Sequence, residues 1–118
     1  CPLSAATGPG SAAEMDKYRL WQVSENATVA EKEAYFKKYS TLSLIENIPD
    51  NQKRSVRWYI DCGDDDFLYE GNSLVHIAMR KNEIPHEFRI RDGGHTWSYW
   101  RSALPVVLEF ISMSFHQF

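Results

Sequence analysis

The sequence predicts an α/β fold in which parallel strands are flanked by helices. Three observations carry that expectation. The run Val56-Arg57-Trp58-Tyr59-Ile60 is β-branched and aromatic, the composition of a strand buried on both faces of a sheet. Residues 72–82 place Leu74, Ile77 and Ala78 at helical spacing, with Val75 and Met79 flanking them. Residues 86–91 then alternate Phe88 and Ile90 with Glu87, Arg89 and Arg91, the pattern of a strand nearer the sheet edge. Strand, helix, strand and a closing helix imply a parallel sheet with right-handed crossovers.

The remaining elements follow in chain order. Residues 7–27 read as loop, with Gly8-Pro9-Gly10-Ser11 as a turn signal and scattered aromatics at Tyr18 and Trp21. A cap over a site and a plain surface loop both fit that text. Thr28 with Glu31 three residues on forms a capping box and starts a helix. Its apolar stripe is Ala30, Ala34, Tyr35 and Phe36, while Glu31, Lys32, Glu33, Lys37 and Lys38 face water. A short helical turn at 42–47 precedes the breaker Pro49-Asp50-Asn51. Residues 97–115 form a terminal helix, interrupted or restarted at Pro105, with Val106, Val107, Leu108, Phe110 and Ile111 against the sheet.

Composition narrows the function classes. At 43% hydrophobic, 14% aromatic and 25% charged, the 118 residues make at most one ordinary globular domain. With 13 basic and 16 acidic side chains the net charge is −3, and no basic block stands out. Nucleic acid and membrane surfaces are therefore not expected as partners. No apolar run approaches the length of a bilayer span, and none reads as a signal peptide. The two cysteines allow at most one disulfide, and Cys62 reads as a small buried hydrophobe. No C-x-x-C or histidine pair has metal-ligand spacing, so neither a zinc site nor a cofactor is expected.

The chemistry-bearing residues lie just past the two strands. Gly63 ends the first strand and is followed by Asp64, Asp65 and Asp66, then by apolar Phe67 and Leu68. The second strand leads into Gly93-Gly94-His95-Thr96-Trp97. In open α/β sheets, functional groups cluster at the carboxyl ends of strands. By itself the acidic run fits a solvated turn, a magnesium site or a catalytic acid. A histidine past the neighbouring strand favours the last, since a carboxylate can orient an imidazole for general-base work. Trp97, Tyr99 and Trp100 fit either a substrate pocket or the core. His76, on the middle helix, reads as a surface or packing histidine.

The runs I-D-C-G-D-D-D-F-L-Y-E-G-N and G-G-H-T-W-S-Y-W resemble the last third of the α/β-hydrolase esterases, in the group of esterase-D-like, feruloyl and acetyl-xylan esterases. The resemblance covers residues 54–112, with a weaker match at residues 1–6. It implies the three-layer α/β-hydrolase fold and a Ser, His, Asp triad, with Asp66 as the acid and His95 as the base. It also implies ester substrates, small or carbohydrate-linked, with Trp97 and Trp100 at the substrate. A polysaccharide esterase would be secreted or periplasmic. Cys-Pro-Leu-Ser-Ala-Ala resembles the tail of the buried strand after the nucleophile segment, rather than an acylated lipoprotein start.

The nucleophile elbow G-x-S-x-G demands small neighbours around a serine on a strained turn. No such run occurs: Gly71-Asn72-Ser73 continues into Leu74-Val75. The expectation is therefore the C-terminal portion of one α/β-hydrolase domain, residues 1–118. It would supply acid and base only, be inactive alone, and pair with the missing N-terminal half or with a second copy. The competing reading is a non-catalytic half-domain that binds a partner or a metal through its acidic loop.

Overall fold

The computed structural model describes residues 1–18 and 26–115; Trp21 lies outside them. In chain order the elements are α1 (Ala12–Tyr18), α2 (Val29–Tyr39), α3 (Thr41–Glu46), a 3-10 turn at Asp50–Gln52, β1 (Trp58–Gly63), α4 (Tyr69–Lys81), β2 (His86–Arg91) and α5 (Trp97–Ser112). The fold is α/β. β1 and β2 run parallel, with Trp58 opposite His86 and Gly63 opposite Arg91. On the other edge of β1, Leu3 makes a single parallel bridge to Asp61.

β1 sits further along the chain than the expected strand 56–60. Its start is set by its partner, because Pro85 has no N–H to give and the ladder can begin only at His86. Val56 is left outside the strand and exposed. The strand expected at residues 1–6 is reduced to the Leu3 bridge. Ser4 adopts a left-handed φ of 51°, which ends the extended run.

Neighbouring residues in a strand face opposite sides of the sheet, and this defines the layers. Ile60 packs against Val75 and Met79 of α4, Ile84, and Leu42 and Ile45 of α3. Tyr59, pointing the other way, packs against Val107 and Phe110 of α5 and against Leu3. Helices thus cover both faces, in three layers.

Several helices depart from expectation. α4 begins at Tyr69 rather than at residue 72, and its buried stripe is Asn72, Val75 and Met79, leaving Ile77 exposed. Its first turn carries exposed Tyr69 and Glu70, so apolar spacing does not reveal it. α5 runs unbroken through Pro105. That proline is on the exposed side of the helix, where water can satisfy the carbonyl that its missing N–H would have bonded. Tyr99, Ala103, Val107 and Phe110 form the buried face of α5, while Leu108 and Ile111 point outward.

α2 has both capping-box bonds, Glu31 N–H to Thr28 Oγ1 at 3.2 Å and Thr28 N–H to Glu31 Oε2 at 3.3 Å. None of its residues is buried: Ala30 and Ala34 are exposed, and Tyr35 and Phe36 half-buried. α1 lies where loop was expected. Ser11 Oγ accepts from Glu14 N–H at 3.3 Å, and Glu14 Oε2 accepts from Gly10 N–H at 2.7 Å. The Ser11-x-x-Glu14 spacing was the sequence signal for it.

Candidate active site

Two loops leave the carboxyl ends of β1 and β2 and are held against each other by backbone. A Cβ on Gly63 would lie 2.2 Å from the Gly93 carbonyl oxygen, so only glycine permits the approach. Gly93 has a φ of 137°, and a Cβ there would meet the Tyr99 ring at 2.7 Å. Asp64 N–H donates to Arg91 O and Asp65 N–H to Gly93 O, both at 2.9 Å. Gly93 N–H donates in return to Asp64 Oδ1 at 3.1 Å.

This clamp turns the third aspartate inward. Asp66 is 1% exposed, whereas Asp64 and Asp65 are exposed. Asp66 Oδ1 accepts from Leu68 N–H at 2.9 Å, a side-chain turn that orients the carboxylate at the start of α4. Its other oxygen, Oδ2, lies 3.1 Å from His95 Nδ1. Burial on its own pushes the Asp66 carboxyl up. Hydrogen bonds from the Leu68 amide, the Ser4 hydroxyl and the His95 ring outweigh it and hold the group below the ordinary carboxylate value. An ionised carboxylate only accepts, so His95 donates Nδ1–H to it; in the neutral ring this tautomer leaves the lone pair on Nε2.

The His95 ring is framed by aromatics. Phe67 lies 4.9 Å away between centroids, and Trp100 stands edge-on at 4.8 Å. Trp97 packs edge-on against Trp100 at 5.2 Å and is 71% exposed. Trp100 is partly buried, and its Nε1–H donates to Ser4 Oγ at 3.0 Å. Trp97 thus presents a free ring surface, whereas the polar edge of Trp100 is already engaged. Phe67, 74% exposed, also borders a cleft of about 290 Å³ with Ala5, Ala6, Pro9 and Leu74. A larger cleft of about 720 Å³ among α2, α3 and α4 shares Leu74 with it but is not lined by Asp66, Phe67, His95, Trp97 or Trp100.

The strand carrying the acid is anchored by a second, fully buried carboxylate. Asp61 accepts from Tyr59 OH at 2.7 Å, from Arg91 Nη1 at 3.0 Å and from Tyr99 OH. Burial pushes both tyrosines above their ordinary value, and the Asp61 carboxylate adds to it. The network joins β1, β2 and the start of α5, and so sets where the loops carrying Asp66 and His95 emerge.

Asp64, Asp65 and Asp92 bring carboxylate oxygens within 4.8 Å of one another at the surface, with one Asp64 oxygen already bonded to Gly93. Cys62 is buried and free, its thiol pushed up to about 11 by burial and by the charges of Asp66 and Asp61; Cys1 is free and exposed. His76 Nδ1 lies 2.7 Å from His86 Nε2, and its ring stacks on Phe88, away from Asp66 and His95. Ser4 and Phe67 join the site without having been singled out in the sequence. Phe67 was legible as the apolar residue after the acid. Ser4 had no local signal.

No protein-family model matches the chain. Over 70 residues the chain is 24% identical to an acetyl esterase of Caldicellulosiruptor saccharolyticus, a match covering 59% of this chain and 26% of that protein. Among solved structures it is similar to a ferulic acid esterase, with 34% sequence identity and a TM-score of 0.65. That likeness covers 92% of this chain and 39% of the esterase. The chain thus spans well under half the length of either relative.

Proposed function

We propose, on the premise that this chain is esterase-like in sequence and α/β-hydrolase-like in fold, that it carries the acid and the base of a carboxylic ester hydrolase. The observation that supports this most directly is the 3.1 Å contact between Asp66 Oδ2 and His95 Nδ1, made across the carboxyl ends of two adjacent parallel strands. In this reading His95 Nε2 takes the proton of a serine hydroxyl as its oxygen attacks the ester carbonyl, and then returns it to the leaving alcohol. Water hydrolyses the acyl-enzyme by the same exchange. Asp66 keeps the imidazole in the productive tautomer and stabilises the imidazolium that forms. The serine and the oxyanion donors are assigned to sequence outside these 118 residues.

The exposed ring of Trp97 and the edge of Trp100 are the proposed substrate contacts. Both stand beside His95, and a flat aromatic surface suits a sugar ring or an aromatic acyl group. Small and carbohydrate-linked esters are the substrate class that fits. The rest of an esterase fold, or a second copy of this chain, is the proposed partner.

The coding sequence upstream of Cys1 tests the reading. A G-x-S-x-G there supports it, and an unrelated domain or a start codon immediately before Cys1 overturns it. In the extended protein, Asp66→Asn and His95→Gln should each lower kcat for short p-nitrophenyl esters by about 10⁴-fold. The 118-residue chain alone should hydrolyse them no faster than free imidazole, and a fluorophosphonate should label none of its serines.

A further inference from the structure

His95 is carried between β2 and α5 on the short span Gly93 to Thr96, and one residue meets both ends of that span. At the near end the Tyr99 ring lies so close to Gly93 that a Cβ there would come within 2.7 Å of Cδ2. At the far end the Tyr99 N–H donates to Thr96 Oγ1 at 3.3 Å. Thr96 N–H in turn donates to the Gly94 carbonyl at 2.9 Å, which closes a tight turn with His95 at its centre. The ring of Tyr99 is itself anchored. The residue is 6% exposed, and its OH donates to the Asp61 carboxylate in β1, the strand whose following loop delivers Asp66. Arg91, at the end of β2, donates to the same carboxylate at 3.0 Å.

We propose that Tyr99 is a positioning residue for the base. Its ring, its backbone N–H and its buried hydroxyl fix the turn around His95 relative to β1, and so set the imidazole where Nδ1 meets Asp66. The Gly63–Gly93 contact fixes where the two loops touch, and Tyr99 fixes the course of the chain after Gly93. The 3.1 Å bond from His95 to Asp66 stands near the long end of the hydrogen-bond range, so a small shift of the turn weakens it. Tyr59 gives Asp61 a hydroxyl as well, at 2.7 Å, but packs against Val107, Phe110 and Leu3 rather than against the turn. The inference deepens the proposed function and rests on reading Asp66 and His95 as acid and base.

That difference between the two tyrosines makes the test, on variants of the 118-residue chain. Tyr99→Phe removes the hydroxyl and keeps the ring, and Tyr99→Leu removes both. Tyr59→Phe takes the other hydroxyl from the same carboxylate and leaves the contacts with the turn in place. Nitrogen-15 spectra, at a pH where the ring is neutral, report the share of the His95 Nδ1–H tautomer, and thermal melting reports the fold. Both phenylalanine variants should melt at lower temperature than the parent. The Nδ1–H share should fall in Tyr99→Phe, fall further in Tyr99→Leu, and match the parent in Tyr59→Phe. If Tyr99→Leu does not fold, the two phenylalanine variants decide. A share in Tyr99→Phe equal to that of the parent overturns the inference. An equal fall in Tyr59→Phe also overturns it, because lost stability and not contact with the turn would then be moving His95. Asp66→Asn separates the two levels. If it shifts the tautomer and the Tyr99 variants do not, the role of Tyr99 alone fails. If it leaves His95 unmoved, the acid–base pair falls and the role of Tyr99 with it.

Discussion

Replacing Gly63 by alanine tests how the two site loops are held together. The new Cβ would lie 2.2 Å from the Gly93 oxygen and 2.7 Å from its carbonyl carbon. Ordinary contact needs about 3.5 Å, and both atoms are backbone, so the loops must part by roughly 1 Å. That movement acts on the two bonds to Arg91 O and Gly93 O at 2.9 Å and on the Gly93 bond to Asp64 at 3.1 Å. At about 1 kcal/mol each, discounted for the exposure of Asp64, the expected loss is about 2–3 kcal/mol. This is a large share of the ~5–15 kcal/mol typical of whole domains. Urea unfolding followed by tryptophan fluorescence measures it, with Gly94→Ala as the control. A Cβ at Gly94 meets only the Asp65 carbonyl, its oxygen at 3.6 Å and its carbon at 3.9 Å, so that variant should stay within ~0.5 kcal/mol of the parent. The His95 and Asp66 resonances should also uncouple in Gly63→Ala. Equal midpoints for the two alanine variants would refute the reasoning.

Three further outcomes are expected. Tyr99→Phe removes one donor from buried Asp61 and should cost about 1–3 kcal/mol in the same unfolding assay; no change would mean that the Asp61 network does not hold the sheet to α5. Asp66, raised by burial but lowered further by its three hydrogen-bond donors, has a folded-state value below the unfolded one. Its contribution to stability is therefore present above the ordinary carboxylate value of ~3.9 and lost as pH falls through the folded value. Asp66→Asn should flatten stability across that acid window, and an unaltered profile would count against the donors. Finally, Leu44, Val56, Trp58 and Leu108 are exposed, and among the described residues nothing pairs with the outer edge of Leu3. Purified chain at micromolar concentration should self-associate in light scattering, and a monodisperse monomer with sharp cooperative melting would refute that expectation.

Periodic and nearest-neighbour signals were legible in the sequence. The apolar run at Val56 to Ile60, the Thr28/Glu31 capping box and the alternation around Phe88 depend on residues a few positions apart, and so did the placing of an acidic loop and a histidine past neighbouring strands. The α/β class follows from their order. Boundaries were another matter, because they depend on partners elsewhere in the chain. β1 begins where Pro85 allows the ladder to begin, and the buried stripe of α4 is the one that meets Ile60. α1 was expected as loop, because the Gly8-Pro9-Gly10-Ser11 turn signal stands in front of it and its helix has few apolar residues to advertise it. Only the tertiary structure could decide that Asp66 turns inward while Asp64 and Asp65 stay at the surface. The Gly63–Gly93 contact is a backbone meeting of residues distant in sequence, and no local pattern encodes it. The same holds for Ser4: its partners Asp61 and Trp100 are brought to it by the sheet and by α5, so a serine in an unremarkable stretch acquires its surroundings from the fold alone.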